Sequence, residues 1–244
     1  MRRTAEATPT GGFATSPSRG EGSAAHVIIA ETAADVGARE MLLDRAMGAG
    51  RKRKSSEKLR RGRRPSEGLA FVARDADEHV VGTVRLWDVR FAVSPLEGEM
   101  GGSPEGVTSE GTADMQRTAA LTPPGRFAAT LPPRGRDKSA LLLGPLAVDP
   151  SVKSAGIGSA LMLHAIAEAK RLGHGAILLV GDAPYYARFG FSAEKTGRLA
   201  MPGPYERHRF LALELAGGAL DGAHGVLRPA GRKVKAHMEL ARAA

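Results

Sequence analysis

The stretch that decides the fold is residues 141–164, LLLGPLAVDPSVKSAGIGSALMLH. A short apolar run ends at Asp149-Pro150, a tight turn follows at Gly156-Ile157-Gly158, and an apolar-periodic segment begins after it. This order predicts a strand, a glycine-rich loop and a helix. Such a loop directs several backbone N–H groups toward one point at the positive end of a helix dipole, which favours an anion there, most often a phosphate.

Two familiar nucleotide-binding patterns do not fit this loop. The dinucleotide-binding fingerprint needs a third glycine three residues after the second, and Leu161 stands at that position. The phosphate loop of nucleotide hydrolases needs Gly-Lys-Ser/Thr, but Gly158 is followed by Ser159-Ala160. The loop alone therefore leaves two interpretations open, an ordinary strand-to-helix turn or another kind of anion-binding loop.

A third pattern fits this loop together with a second motif downstream. Residues 153–158, KSAGIG, resemble the Arg/Gln-x-x-Gly-x-Gly/Ala pyrophosphate loop of the GNAT acetyltransferases, and residues 186–191, YARFGF, resemble that family's Tyr-x-x-x-Gly-Phe segment. Residues 180–186 and 210–215, VGDAPYY and FLALEL, are most similar to the YhbS-like branch. The chain departs from the family at Lys153, which replaces an Arg or Gln, and in lacking the Asn that often precedes the tyrosine.

The resemblance implies an α/β fold of mixed α+β character, the GNAT acyl-CoA N-acyltransferase fold, with a central mixed sheet and flanking helices. It implies acetyl-CoA as co-substrate, no metal, and direct transfer of the acetyl group to a primary amine of a small molecule or peptide. The cofactor-binding positions that it implies are Leu146, Ala147, Val148, Lys153, Ser154, Ala155, Gly156, Ile157, Gly158 and Ser159. Backbone groups of Leu146 and Val148 would bind pantetheine, and the amides of 155–159 would bind the pyrophosphate, helped by Lys153.

The resemblance also places catalytic groups. Tyr186 matches the family's general acid, and the alternative is a core tyrosine with a satisfied hydroxyl. A backbone N–H near Val148 is the expected donor to the oxyanion. No base can be selected among Asp182, Glu206 and His208, and a water relay is equally compatible with the sequence.

The apolar pattern predicts the other elements of the chain. Val36, Met41, Leu42 and Ala46 are expected to face inward from the first helix. A proline cannot donate to a strand ladder, so Gly144-Pro145 predicts a bulge, unless the strand starts only at Leu146. The predicted strands are 27–30, 69–74, 80–91, 139–148, 176–180, one starting at Phe191, and a last one at 209–215; the predicted helices are 32–47, one within 51–64, 158–172 and 183–189.

Composition suggests three parts for the chain. Residues 1–25 are predicted to be a disordered low-complexity N-terminus. Residues 26–226 are predicted to be the acetyltransferase domain, with 227–244 as a peripheral C-terminal tail. Residues 92–138 hold seven glycines and six prolines and are predicted to be a low-complexity insertion, because the family pattern resumes after them.

The net charge of +9 is concentrated in residues 51–64, RKRKSSEKLRRGRR, which contain nine basic residues and one acid. We call these residues the basic segment. Three interpretations of this segment are open: it binds a polyanion, it forms a solvated helix face, or it lines the mouth of a site for an anionic cofactor. Nucleic acid is not the expected partner, because no aromatic residue is interleaved to stack on bases. A polyanion- or nucleic-acid-binding module and a catalytically degenerate CoA-binding protein stay open as alternatives.

The chain contains no cysteine, which excludes disulfides and thiolate metal sites. No apolar run approaches the ~18 residues needed to cross a bilayer, and the N-terminus lacks the apolar region of a secretory signal. We therefore expect a cytoplasmic protein without a membrane partner, and a homodimer stays open.

Overall fold

The computed structural model describes residues 26–94, 137–152 and 154–234. The strands are β1 Val27–Ala30, β2 Ala70–Arg74, β3 Val80–Val93, β4 Asp137–Val148, β5 Ala176–Val180, β6 Leu199–Ala200, β7 Phe210–Glu214 and β8 Ala223–Pro229. The helices are α1 Val36–Met47, α2 Glu57–Arg60, α3 Ile157–Arg171 and α4 Ala183–Ala187, with 3-10 turns at Ala33–Asp35, Ala49–Arg53, Pro150–Val152, Glu194–Thr196 and Arg207–Arg209. Among these residues, no helix is both long and apolar enough to cross a membrane.

The strands form one mixed sheet in the order β1-β2-β3-β4-β5-β7. β4 and β5 run parallel, whereas the other pairs along this path are antiparallel. The long strand β3 pairs with β4 along one edge, and on its other edge with β2 and then with β8. The predicted mixed α/β class with a central mixed sheet and flanking helices is confirmed.

Each face of the sheet carries its own apolar core, as the two-residue period of the strands dictates. Leu141, Leu143, Ile177 and Leu179 face one core, which α3 covers. Ala140, Leu142, Ala176 and Leu178 face the other core, which α2 and the segment after α4 cover. The sheet is therefore buried on both faces where β4 and β5 meet.

The first helix faces the core with a different set of residues than predicted. Leu42 and Leu43 are buried, whereas 60% of Met41 is exposed, so its predicted inward orientation is wrong. The basic segment forms a 3-10 turn and the single turn α2 rather than one helix. Like charges four residues apart, as at Lys54 and Lys58, oppose a longer helix.

The C-terminal region contains a strand that the sequence did not predict. The predicted last strand appears as β7, but β8 follows it and pairs with β3. The predicted tail from 227 therefore begins inside β8, where Leu227 is buried. Residues 231–234 then join the basic segment, through Arg64 N–H to Arg232 C=O (2.8 Å) and Val234 N–H to Gly62 C=O (2.9 Å).

Two further predictions concern loops. The prediction of a strand that starts at Phe191 is wrong, because only a single β-bridge, between Ser192 and Ala212, forms there. The predicted insertion lies almost wholly at 95–136, outside the described residues, as does the predicted N-terminus at 1–25. The ends of that stretch meet, because Ala92 pairs with Asp137 across β3 and β4. The division of the chain into domains stays a prediction.

Candidate functional site

The central strand β4 contains the predicted bulge. Val84 pairs with Leu146 and Leu86 pairs with Leu143, so Gly144 and Pro145 together oppose the single residue Arg85. Trp87 Nε1–H donates a 2.6 Å hydrogen bond to Gly144 C=O and holds the bulge in place. The alternative, that the strand begins only at Leu146, is wrong.

Beyond the bulge, β4 and β5 separate. Their pairing covers only Leu141 with Ile177 and Leu142 with Leu178. Asp149 N–H donates to Val81 C=O on the β3 side (2.8 Å). Because successive residues of a strand direct their backbone groups to opposite sides, the amides of Val148 and Leu146 point into the gap that β5 leaves.

The glycine-rich loop leads directly into α3. Gly156 caps this helix with φ of 76°, a left-handed conformation that glycine adopts without strain. The first helical bond runs from Ala160 N–H to Gly156 C=O (3.0 Å), so the amides of residues 157–159 precede the ladder and are available to an anion. The amide of Ala155 instead donates a long bond to Val152 C=O (3.4 Å).

Other parts of the loop are fixed by the fold. The Ile157 side chain faces the core as predicted, with 2% exposed. Hydrogen bonds from Ser151, and then from Arg45, lower the pKa of Asp149, which keeps the strand exit anionic and anchored to α1. Ser154 has a φ of 72°, and Lys153 lies outside the described residues.

A cleft of about 270 Å³ opens at the bulge. It is bounded by the bulge, the end of β5, α1, the basic segment and Tyr186 of α4. Burial, together with Tyr185 and Asp182, raises the pKa of Tyr186 to about 12. The hydroxyl of Tyr186 forms no hydrogen bond with the described part of the chain. The alternative role, a core tyrosine whose hydroxyl is hydrogen-bonded, therefore finds no support among these residues.

The adjacent tyrosines occupy different places. A Cβ built at Gly158 would lie 3.1 Å from Tyr185 Oη, so Tyr185 faces the first turn of α3. The Arg188 guanidinium carbon lies 4.1 Å from the Tyr185 ring centroid and covers that ring. Tyr186 is the one that borders the cleft. The tyrosine that matches the motif is thus also the one at the cleft, and its catalytic role stays a prediction.

Carboxylates also border the cleft, and the sequence did not single them out. They are Glu40 of α1 and Glu57 of α2, whereas the three candidates Asp182, Glu206 and His208 are exposed and do not line it. Burial alone would raise the pKa of Glu40, but hydrogen bonds from Arg51 and Arg39 lower it to about 2. Glu57 is paired with Arg60 (3.1 Å).

Six cations of the described chain line the same cleft. They are Arg51, Lys52, Lys54, Arg60, Arg61 and Arg85, five of them from the basic segment. The sequence left three interpretations open for the basic segment. The geometry supports the one in which its cations line the mouth of a site. No residue of the described part of the loop at 154–159 lines the cleft, which lies at the bulge within β4, whereas the loop follows the C-terminal end of this strand.

Comparisons with known proteins agree with this architecture. The sequence profile of the "Acetyltransferase (GNAT) family" matches residues 118–191. The "Uncharacterized N-acetyltransferase YhbS" of Escherichia coli K12 is 29% identical over 94 residues, which are 38% of this chain and 56% of that protein. The chain thus matches little more than half the length of this relative.

A solved structure extends the similarity in fold. The GNAT family N-acetyltransferase YhbS from Escherichia coli, crystallised in complex with CoA, superposes with a TM-score of 0.56. The superposition covers 87% of this chain and 93% of that one at 22% identity. The chain therefore has the fold of the GNAT acetyltransferases, and its residues 118–191 match the profile of that family.

Proposed function

We propose that the protein is an N-acetyltransferase that moves the acetyl group of acetyl-CoA directly onto a primary amine. The observation that carries this proposal is the gap between β4 and β5, which ends at a cleft bordered by Tyr186. A gap in a sheet exposes backbone donors and acceptors that a flexible amide-containing arm can satisfy. YhbS, the relative with the same fold, was crystallised with CoA.

The cofactor would lie along β4 from the loop to the bulge. Its pyrophosphate would accept hydrogen bonds from the amides of residues 157–159, with Lys153 adding a positive charge. Its pantetheine arm would pair with the carbonyl of Leu146 and the backbone groups of Val148, as an added strand does. Side-chain identity at those two positions, and at Ala147, would matter little for this contact.

The acetyl group would then reach the bulge. The neutral amine attacks the thioester carbon, the carbonyl becomes an oxyanion, and collapse of this intermediate expels the CoA thiolate. Pro145 has no N–H, so the amide of Leu146 is the first donor after the bulge and replaces the neighbourhood of Val148 as our candidate oxyanion donor. Tyr186, which borders the cleft with a protonated hydroxyl, would donate its proton to the departing thiolate as the C–S bond breaks.

The proton of the amine needs an acceptor. Glu40 is a weak one, because its pKa near 2 reflects two arginines that already bind its oxygens. Glu57 borders the cleft with a single arginine partner and is therefore our candidate base, directly or through a water. A Glu57→Gln variant is expected to lower kcat.

Calorimetric titration with acetyl-CoA tests the proposal. One-site binding is expected for the wild type and none for Gly158→Trp, whose side chain would enter the space beside Tyr185 and the helix amides. Gly217→Trp is the matched control, because nothing lies within 4 Å of a Cβ at that exposed glycine. Absence of acetyl-CoA binding, together with salt-sensitive binding of nucleic acid, would contradict the proposal and favour the polyanion-binding alternative.

A further inference from the structure

The cations of the cleft exceed what its acids can neutralise. Arg51 is paired with Glu40 (2.6 Å) and Asp44 (2.7 Å), and Arg85 lies 3.1 Å from Glu31. Further cations at the rim form no ion pair with the described residues; they are Lys52, Lys54 and Arg61, all exposed. The cleft therefore has a surplus of positive charge.

Arg60 lies deepest in this group. Only 10% of its side chain is exposed, and its Nε–H has no hydrogen-bond partner among the described residues. Its Nη2 reaches Glu57 at 3.1 Å and Ser56 Oγ at 3.4 Å. Burial lowers the pKa of this guanidinium, which means that its surroundings compensate its charge incompletely. A buried donor without a partner is costly, and a ligand oxygen would relieve that cost.

The position of Arg60 links it to the reaction site. A Cβ built at Gly144 would lie 3.8 Å from Arg60 Nη1, so the guanidinium lies over the bulge. The parts of acetyl-CoA that would reach the bulge, pantetheine and the acetyl group, carry no charge. The pyrophosphate would bind at the loop, which follows the end of β4 and contributes no described residue to the cleft. The bound cofactor would therefore leave Arg60 without an anionic partner.

We infer that the acceptor amine also carries an anionic group, a carboxylate or a phosphate, which binds at Arg60 while the amine faces the thioester. This inference rests on the proposed function, because it names the acceptor class of the same cleft. A planar guanidinium with free N–H groups suits either oxyanion. A cleft of about 270 Å³ suits a small molecule or the end of a chain. Lys52, Lys54 and Arg61 would steer the anion inward.

Four acceptors that share one scaffold test this inference. Ethanolamine, ethylenediamine, β-alanine and phosphoethanolamine each present a primary amine two carbons from a neutral, cationic, carboxylate or phosphate group. CoA release gives kcat/KM for each of them. We expect the two anionic amines to exceed ethanolamine by at least about tenfold, the scale of one buried charge-assisted hydrogen bond. The ratio between them distinguishes carboxylate from phosphate.

Three variants show whether Arg60 is responsible. Arg60→Gln is expected to abolish the preference, and Arg60→Lys to keep part of it, since the charge remains without the planar fork. Arg53→Gln is the matched control, because Arg53 is exposed on the same segment and does not line the cleft. It should retain the wild-type preference. Thermal melting of each variant identifies loss of folding, and Arg60→Lys keeps the test valid if Arg60→Gln unfolds.

The outcomes separate this inference from the proposed function. If acetyl-CoA binds and neutral or cationic amines are acetylated as well as anionic ones, the inference is wrong and the proposed function stands. If none of the four is acetylated, ligand-observed NMR measures binding of β-alanine and phosphoethanolamine to the protein, with and without CoA. Arg60-dependent binding of either one supports the inference, and its absence overturns it.

Discussion

Substitution of Gly82 by alanine tests how closely α3 lies on the sheet. A Cβ at Gly82 would lie 2.8 Å from Leu161 Cδ1, 2.9 Å from Ile157 Cγ2 and 3.2 Å from Ala73 Cβ. Carbon atoms in contact prefer about 3.5–4.0 Å, so two contacts are too short by more than about half an ångström. Leu161 and Ile157 are both buried, so either side chain would have to shift within the core to admit the methyl group.

The cost follows from that overpacking. Extra methyl groups in a filled core destabilise by about 1–3 kcal/mol, and in a domain of this size each kcal/mol lowers Tm by roughly 2–4 °C. We therefore expect Gly82→Ala to melt about 2–12 °C below the wild type. Because Ile157 begins α3, we also expect weaker acetyl-CoA binding as the helix N-terminus is displaced.

The assays are thermal unfolding and acetyl-CoA titration of the same preparations. Gly37→Ala is the matched control, since Gly37 lies within α1 and nothing approaches within 4 Å of its Cβ position. It should be as stable as the wild type or more stable by up to about 1 kcal/mol. A Gly82→Ala protein that melts with the wild type and binds acetyl-CoA equally well would refute the close packing of α3 on β3.

Three further predictions concern catalysis, pH and the insertion. Tyr186→Phe should lower kcat by about 10²-fold and leave acetyl-CoA affinity intact, whereas retained kcat would exclude the acid role. The pKa of Glu40 is lowered from 4.5 to about 2, so its carboxylate stabilises the fold above pH 4.5 and loses this effect as the pH falls toward about 2. The difference in free energy of unfolding between the wild type and Glu40→Gln, measured by urea unfolding, should therefore close over that pH range. Replacing residues 95–136 by a short turn should preserve folding and acetyl-CoA binding, because Ala92 and Asp137 are already paired. Unfolding of this variant, or loss of acetyl-CoA binding in calorimetric titration, would show that the segment is needed.

The sequence predicted best what local patterns encode. Continuous apolar runs identified β4 and β5, and Gly156 and Gly173 mark the ends of α3, each with positive φ. Gly144-Pro145 indicated the bulge because a proline within a central strand has few other structural meanings. These signals depend on residues close together in the chain, and the loop and the bulge lie where they predicted, whereas the role of Tyr186 stays a prediction.

The unpredicted parts depend on distant contacts. The Arg60 guanidinium lies close to Gly144 although the two residues are far apart in sequence. No sequence spacing could therefore predict this cationic site. β8, AHGVLRP, contains Gly225 and Pro229 and is recognisable only by its pairing with β3. Tyr185 and Tyr186 differ in role because neighbours on a helix point about 100° apart, a direction that depends on where α4 lies.

The joining of residues 231–234 to the basic segment has a consequence for biosynthesis. Arg63 donates to Gly231 C=O at 2.6 Å, across a separation of 168 residues. During synthesis, residues 62–64 leave the ribosome long before residues 231–234. The sheet can therefore form while residues 62–64 still lack these hydrogen-bond partners. Chains cut short before residue 231 should therefore keep the sheet but lose the hydrogen bonds that hold residues 62–64, so ligand binding in the cleft should be more sensitive than folding to this truncation.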